Sequence, residues 1–137
     1  MEKILVIEDN YEVLKLMDMI LTKNGYDVKV AHDGEEGISL LNNGSHFTLI
    51  ITDIRMPEKD GNQVEKYVRS NEKIKKTPII AMTAHPGDAD EELFDTILAK
   101  PIEFKELIEI IDSLLSTATI RENRFSSLLS KINQFFH

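Results

Sequence analysis

The feature that most constrains the fold is a set of four short apolar runs, each of which leads to a polar or charged side chain. Runs this short and uniformly apolar are typical of strands buried on both faces of a sheet. The runs and the residues after them are 4–7 with Glu8 and Asp9, 49–51 with Asp53, 78–82 with Thr83, and 97–99 with Lys100. Ligands of open α/β sheets bind outside the carboxyl ends of the strands, which is where these side chains are expected.

Amphipathic helical stretches separate the runs. Asn10 and Asp33 are candidate N-caps of the first two helices, and Asn62 is the candidate for the third. Gly25 follows the first helix as a C-terminal stop, and residues 28–31 read as a further strand. Strands therefore alternate with helices along the chain, which predicts an α/β fold with a parallel sheet covered on both faces.

Composition excludes several classes of protein. The 137 residues suffice for one domain with a substantial core, and the absence of Cys excludes disulfides and thiolate metal sites. No apolar run approaches the roughly 20 residues that span a bilayer, and the first strand begins where a signal peptide would lie. We therefore expect a cytoplasmic protein that does not enter a membrane. A net charge of −8 argues against direct binding of nucleic acid.

With these motifs in order, the chain resembles a response-regulator receiver domain of two-component signalling, over about residues 3–116. The resemblance implies a doubly wound, flavodoxin-like sheet of five parallel strands in the order 2-1-3-4-5. Beyond the resemblance, residues 116–119 break the helical periodicity, so we expect a receiver domain, residues 1–118, and a C-terminal amphipathic helical extension, residues 119–137. The matching residues are Glu8-Asp9, Asp53, Met56-Pro57, Asp60-Gly61, Thr83-Ala84 and Lys100-Pro101.

The acidic residues suit a divalent cation. Three carboxylates at close range, those of Glu8, Asp9 and Asp53, repel one another unless a cation lies among them. Hard oxygen ligands with room for water and a phosphate oxygen suit Mg²⁺, or Mn²⁺ in its place. An acidic surface cluster that is merely solvated is the alternative. By resemblance, Asp9 is a direct ligand, Glu8 acts directly or through water, and the backbone carbonyl of Arg55 completes the protein ligands.

The resemblance implies a signalling switch rather than an enzyme. Asp53 would accept a phosphoryl group from a sensor histidine kinase or a histidine phosphotransfer protein, and the domain would support its own phosphotransfer and autodephosphorylation. Lys100, Thr83 and Ala84 would bind the phosphoryl group, and movement of Thr83 would change the surface read by a downstream protein target. Pro101 would follow a cis peptide bond; the alternative is an ordinary trans proline at the start of a helix.

One segment and one position depart from the family pattern, and two further positions tune it. Residues 89–95 leave room for only a short fourth helix. The switch position three residues before Lys100, often aromatic in the family, is Ile97. Arg55 and His85 occupy the positions that modulate phosphoryl lifetime, although a His beside Pro-Gly is also an ordinary solvated loop residue.

Two other functions deserve comparison with this one. A dehalogenase-type phosphatase also uses a nucleophilic Asp, but it needs a second Asp two positions on, where this chain has Arg55. A degenerate receiver would serve as a non-phosphorylated protein-docking module, and the short fourth helix keeps that alternative open.

The extension carries one apolar face at helical spacing. Its net charge of +2 contrasts with −10 for residues 1–118. An isolated helix of this length is marginal in water, and an exposed apolar face of this size needs covering. Docking onto its own receiver and contact with a second copy, giving a homodimer, stay open, as does a disordered tail. The residues of the face are Phe125, Leu128, Leu129, Ile132, Phe135 and Phe136.

Overall fold

The structure, a computed structural model, describes residues 2–116 and 130–132. The strands are β1 Lys3–Ile7, β2 Asp27–Ala31, β3 Leu49–Asp53, β4 Ile79–Thr83 and β5 Thr96–Ala99. The helices are α1 Tyr11–Lys23, α2 Gly34–Asn42 and α3 Gly61–Ser70, followed after β5 by a closing helix over residues 104–116. The chain divides into two units, Met1–Glu103 and Phe104–His137, of which the first holds the whole sheet.

All five strands run parallel, in the order β2-β1-β3-β4-β5, which confirms the predicted topology. The register places Ile7 beside Thr52, Asp53 beside Met82 and Thr83 beside Ala99. Since the strands end almost level, the polar residues that follow them share one edge of the sheet.

Side-chain caps start the first two helices where the sequence predicts them. The Asn10 side chain accepts a hydrogen bond from the Val13 amide at 3.1 Å, and that of Asp33 accepts one from the Glu36 amide at 2.7 Å. Gly25 follows α1 with φ of +92°, a left-handed conformation that glycine adopts at little cost. Local polar chemistry therefore sets where α1 begins, where it ends and where α2 begins.

The prediction that Asn62 caps the third helix is wrong. Asp60 is the cap: its side chain accepts a hydrogen bond from the Gln63 amide at 2.8 Å, and the Gln63 side chain accepts one from the Asp60 amide at 2.9 Å. This reciprocal pair satisfies two backbone donors at once, so the helix begins at Gly61, one residue before Asn62.

The sheet is covered on both faces, as its uniformly apolar strands require. In β1, Leu5 and Ile7 belong to the core cluster that includes residues of α2 and α3, so Ile4 and Val6 point to the opposite face, where α1 packs. All four side chains are fully buried. The cluster comprises Leu5, Ile7, Ala31, Leu41, Phe47, Ile50, Ile54, Val64, Val68, Ile79, Ala81, Ala89 and Phe94.

The connection between β4 and β5, residues 84–95, is called the β4–β5 segment below. The short fourth helix expected at residues 89–95 is a single 3-10 turn, Pro86–Asp88, which lies upstream of that span. Beyond it, residues 91–93 form a turn. The Leu93 amide donates to the Asp90 carbonyl and the Glu92 amide to the Asp90 side chain, and no further helical turn follows before β5.

One arginine fixes the far end of the β4–β5 segment. Arg69, near the end of α3, donates hydrogen bonds to the backbone carbonyls of Lys75, Thr77 and Leu93 at 2.8, 2.7 and 3.4 Å. It also donates to Asp95 Oδ2 at 3.0 Å, and the same oxygen accepts the Ile79 amide at 2.8 Å. A planar guanidinium with several donors can hold these acceptors together, which a single ammonium could not.

The second unit is described by its closing helix. Leu107 and Ile111, four positions apart and therefore on one face of this helix, are fully buried. The predicted C-terminal helix falls on residues of which only 130–132 are described; these are helical and exposed. The proposed division after residue 118 therefore stays a prediction. None of the described helices has the length and apolarity to cross a membrane.

Candidate functional site

Three carboxylates meet at the edge where β1 and β3 end. Glu8, Asp9 and Asp53 each offer one oxygen, and these oxygens lie within 4.8 Å of one another. Glu8 is fully buried and Asp53 nearly so, whereas Asp9 is exposed. The parallel pairing of β1 and β3 brings the two strand ends together, as the sequence predicts.

The Lys100 ammonium lies between two of these carboxylates. Its Nζ donates to Glu8 Oε1 at 2.7 Å and to Asp53 Oδ2 at 2.9 Å. The Lys100 amide donates to the Thr83 carbonyl at 2.9 Å, which continues the β4–β5 pairing, and the Lys100–Pro101 peptide bond is cis. We call Glu8, Asp9, Asp53 and Lys100 together the carboxylate edge.

Burial controls the electrostatics of this edge. The pKa of Glu8 is raised to about 7: loss of water is the largest cause, nearby Asp53 adds to the rise, and Lys100 opposes it. Burial alone would lower the pKa of Lys100, but its hydrogen bonds to Glu8 and Asp53 outweigh that effect and raise it. The ammonium is therefore held charged between the two carboxyl groups.

The donor set fits a divalent cation. Glu8 Oε2 is buried without a hydrogen-bond partner, although a buried carboxylate oxygen normally has one. Glu8 also belongs to the group of three carboxylates whose oxygens converge, and the exposed member of that group, Asp9, is open to solvent. Hard oxygen ligands with access to water suit Mg²⁺.

The loop after Asp53 is held close to the strand end. Asp53 Oδ1 accepts the Ile54 amide at 2.7 Å, which fixes the carboxylate, and the Gly61 amide returns to the Ile54 carbonyl at 2.8 Å. A Cβ on Gly61 would collide with the Asp53 carbonyl and the Ile54 backbone. Glycine at position 61 therefore permits the close approach that sets the direction of Asp53.

The remaining predicted site residues occupy β4, β5 and the β4–β5 segment. Thr83 is buried and its Oγ1 accepts the His85 amide at 3.0 Å, whereas Ala84 and His85 are exposed. Ile97 is half-buried and packs against the core cluster. Thr83 thus stands at the same edge as Asp53, while the His85 ring faces solvent.

Arg55 is engaged elsewhere. Its guanidinium Nε forms an ion pair with Asp88 Oδ2, in the 3-10 turn of the β4–β5 segment. The hydrogen bond from Arg55 holds the pKa of the Asp88 carboxyl below its usual range. Sequence reasoning missed Asp88, because nothing in the order of residues connects two positions 33 apart that lie on different loops.

Two polar residues of α3 were missed as well. Asn62 donates from Nδ2 to the Asp88 carbonyl at 3.0 Å, and its Oδ1 is buried without a partner. Glu65 is buried and lacks hydrogen bonds to either carboxylate oxygen, with only a distant ion pair to Arg69 at 3.8 Å. Burial raises the pKa of Glu65. The charged residue at an apolar helical spacing was the available signal for Glu65.

Comparison with known proteins agrees with this geometry. A family model described as the response regulator receiver domain matches residues 4–112. The chain belongs to the response regulator receiver family. Members of this family act in two-component phosphorelay signalling as signalling domains, not as classical enzymes.

Relatives and solved structures extend this match. The chain is 34% identical over 141 residues to hybrid signal transduction histidine kinase I of Dictyostelium discoideum, covering 95% of this chain and 8% of the relative. It is 34% identical over 120 residues to the transcriptional regulatory protein CpxR of Escherichia coli, covering 84% of this chain and 50% of CpxR. The receiver domain thus spans at most about half the length of these curated relatives.

A solved structure provides the spatial comparison. The crystal structure of response regulator protein TrrA from Thermotoga maritima, in complex with Mg²⁺-BeF, is 31% identical and has a TM-score of 0.75. The match covers 83% of this chain and 99% of the TrrA chain.

Proposed function

We propose that Asp53 accepts a phosphoryl group from a phosphohistidine, with the help of a divalent cation and Lys100. The observation that carries the proposal is the ammonium of Lys100 at 2.9 Å from Asp53 Oδ2, beside the Glu8 and Asp9 carboxylates. A cation paired with a nucleophilic carboxylate, and a hard oxygen set next to it, are what in-line transfer to an aspartate needs.

The reaction joins an Asp53 oxygen to phosphorus and breaks the phosphorus–nitrogen bond of the donor. The donor imidazole leaves with the electron pair and takes up a proton. Asp53 Oδ1 is held by the Ile54 amide at 2.7 Å, so the carboxylate is oriented before the donor arrives. Lys100 is placed to stabilise negative charge on the equatorial oxygens of the transferring group.

Glu8, Asp9, Asp53 and the backbone carbonyl of Arg55 are the residues that would hold Mg²⁺. The bound ion would supply positive charge that neutralises the phosphoryl oxygens. The Mg²⁺-BeF complex of the TrrA structure supports this assignment, because TrrA shares the fold and 31% of its sequence with this chain.

Thr83 and Ala84 would bind the phosphoryl group from the β4 side. The Thr83 hydroxyl bonds to the amide of His85 in the structure, so its movement towards a phosphoryl group would break that bond and shift the start of the β4–β5 segment. Ile97 would transmit less of this movement than an aromatic side chain, because it is smaller and packs into the core cluster. The β4–β5 segment is therefore the proposed surface for a downstream protein target.

The phosphodonor would be a sensor histidine kinase or a histidine phosphotransfer protein. The hybrid histidine kinase relative contains a stretch similar to this chain, which places related domains beside histidine kinases. Next to Asp9, α1 exposes Tyr11, Leu16 and Met19, with Tyr11 65% exposed. Exposed apolar side chains of this kind are suited to a protein contact beside the reacting carboxylate.

The test is phosphorylation by a small donor. Incubation with acetyl phosphate and Mg²⁺ should add one phosphoryl mass, and a chelator should prevent the addition. Asp53→Asn should abolish the mass increase, whereas Asp33→Asn, which removes the same charge but keeps an equally good helix cap, should behave as the parent protein. Full labelling of the Asp53→Asn variant would refute the assignment. A parent protein that takes up no phosphoryl group would instead favour the docking module.

A further inference from the structure

The start of the β4–β5 segment, residues 84–88, is tied to other elements less firmly than its far end, which Arg69 and Asp95 hold. Its hydrogen bonds near the 3-10 turn are local: the Asp88 amide bonds to the His85 carbonyl at 2.9 Å, and the Ala89 amide to the Pro86 carbonyl at 3.2 Å. Within the described residues, the segment itself contains no α-helix. Whatever contacts reach the turn from outside therefore have a large share in fixing its position.

Among the residues that the structure describes, two side chains from other elements bond to the turn, and both bind Asp88. Arg55, from the loop after Asp53, pairs with the Asp88 carboxylate, and Asn62, from α3, donates to the Asp88 carbonyl at 3.0 Å. Asp88 is thus the residue through which the loop after Asp53 and helix α3 hold the 3-10 turn.

The ion pair of Arg55 and Asp88 is weak enough for Arg55 to change partners. The two side chains are 62% and 37% exposed, and solvent-exposed pairs contribute little net stability because water competes for both charges. A phosphoryl group carries a charge of about −1.5 to −2 and three acceptor oxygens, against one negative charge on Asp88. Arginine binds such a group through two parallel hydrogen bonds. Arg55 begins only two residues after Asp53.

We propose that Asp88 holds Arg55 in the unphosphorylated protein and competes for it with an aspartyl phosphate at Asp53. When the phosphoryl group captures Arg55, the long side chain covers the path of the attacking water. The 3-10 turn then loses its ion pair with Arg55 and keeps the hydrogen bond from Asn62. Asp88 is thus a positioning residue, which acts on phosphoryl lifetime only through Arg55. This inference rests on the proposed phosphorylation of Asp53.

The test measures the half-life of the phosphorylated protein after removal of acetyl phosphate. Asp88→Asn removes the competing charge and keeps the carbonyl that Asn62 binds, so Arg55 stays on the phosphoryl group and the half-life lengthens by about threefold. Asp88→Glu keeps the negative charge and should have the same half-life as the parent protein. The matched control is Asp90→Asn, which neutralises a carboxylate two residues away that has no hydrogen bond to Arg55. This variant should leave the half-life unchanged.

The double variant decides whether Asp88 acts through Arg55. Arg55→Ala should shorten the half-life, and adding Asp88→Asn to it should have no further effect. A merely structural role of Asp88 would give the same change with or without Arg55. Equal half-lives for the parent, Asp88→Asn and Arg55→Ala would overturn the competition alone. If the parent took up no phosphoryl group, the proposed function would fail and the competition with it.

Amide hydrogen exchange gives the second measurement. In the parent protein, phosphorylation should speed exchange in a peptide covering residues 84–95; in Asp88→Asn this peptide should exchange faster before phosphorylation, with little further change. Exchange in the parent that is unaltered by phosphorylation would contradict release of the segment.

Discussion

The carboxylate edge and the β4–β5 segment are neighbours on the same side of the sheet, but they are held in opposite ways. At the edge, the Lys100 ammonium bonds at 2.7 and 2.9 Å to two carboxylates that are almost completely buried. The segment has a 3-10 turn held by an exposed ion pair, and its far end is held by hydrogen bonds of Arg69. Chemistry that needs fixed geometry is thus built on strand ends, whereas a region that must move is drawn from the less stable part of the fold.

The largest expected effect comes from removing the cation of the edge. Lys100→Met would leave the negative charges of Glu8 and Asp53 side by side without a neutralising cation. Removing one partner of a buried ion pair typically costs about 3 kcal/mol or more. We expect a loss of about 2–4 kcal/mol in urea unfolding at pH 8 with chelator present. Added Mg²⁺ should recover part of it, because a ligand that binds only the folded state stabilises that state.

The matched control for Lys100 is Lys15→Met. Lys15 is exposed on α1 and should be neutral within about 0.5 kcal/mol. If Lys100→Met lowered the free energy of unfolding no more than Lys15→Met does, the carboxylate edge would not be held rigidly by balanced charges.

The sheet, the carboxylate edge and two helix caps could be predicted from the sequence. Short apolar runs determine which segments form the sheet, and their polar endings place Glu8, Asp53, Thr83 and Lys100 at its edge, because parallel strands end together. The caps at Asn10 and Asp33 are local signals and were equally predictable. Each of these features depends on a single element or on the pairing of adjacent strands, so local patterns in the sequence are enough to predict it.

The β4–β5 segment could not be predicted in the same way. Its position depends on pairs far apart in sequence, such as Arg55 with Asp88 and Arg69 with Asp95. Periodicity does not report such pairs, since each partner is an ordinary surface charge within its own stretch. The Asn62 prediction failed for a different, local reason: Asp60 competes with Asn62 for the same helix start, and its two-way hydrogen bonding with Gln63 decides the outcome.

The next effect concerns the pH dependence of the edge. The folded protein holds the Glu8 proton up to a pKa of about 7, whereas the unfolded chain releases it near 4.5. The folded state therefore gains stability that is fully present below pH 4.5 and is lost as the pH rises through about 7. Without divalent cations, unfolding free energy should fall over this window by an amount on the order of 2–3 kcal/mol.

Glu8→Gln should flatten this slope, because the amide has no proton to lose. The control is Glu12→Gln, which alters an exposed carboxylate on α1 and should keep the parent slope. Chemical denaturation at a series of pH values between 4.5 and 8 measures all three proteins. An unchanged slope in Glu8→Gln would mean that Glu8 is not the group that links edge stability to pH.

The smallest effect should appear in the β4–β5 segment itself. Arg69 binds three carbonyls and Asp95, and a lysine could keep one or two of these hydrogen bonds but not all four. Arg69→Lys should therefore cost about 1–2 kcal/mol, less than loss of Lys100, because the remaining acceptors can turn to water. The change should be local: amide exchange should accelerate in residues 89–95 and stay at the parent rate in β1 and β3. Arg69→Ala should enlarge the same local effect. Equal acceleration in the sheet and in the segment would show one cooperative unit, and the two regions would then not differ in stability as the comparison requires.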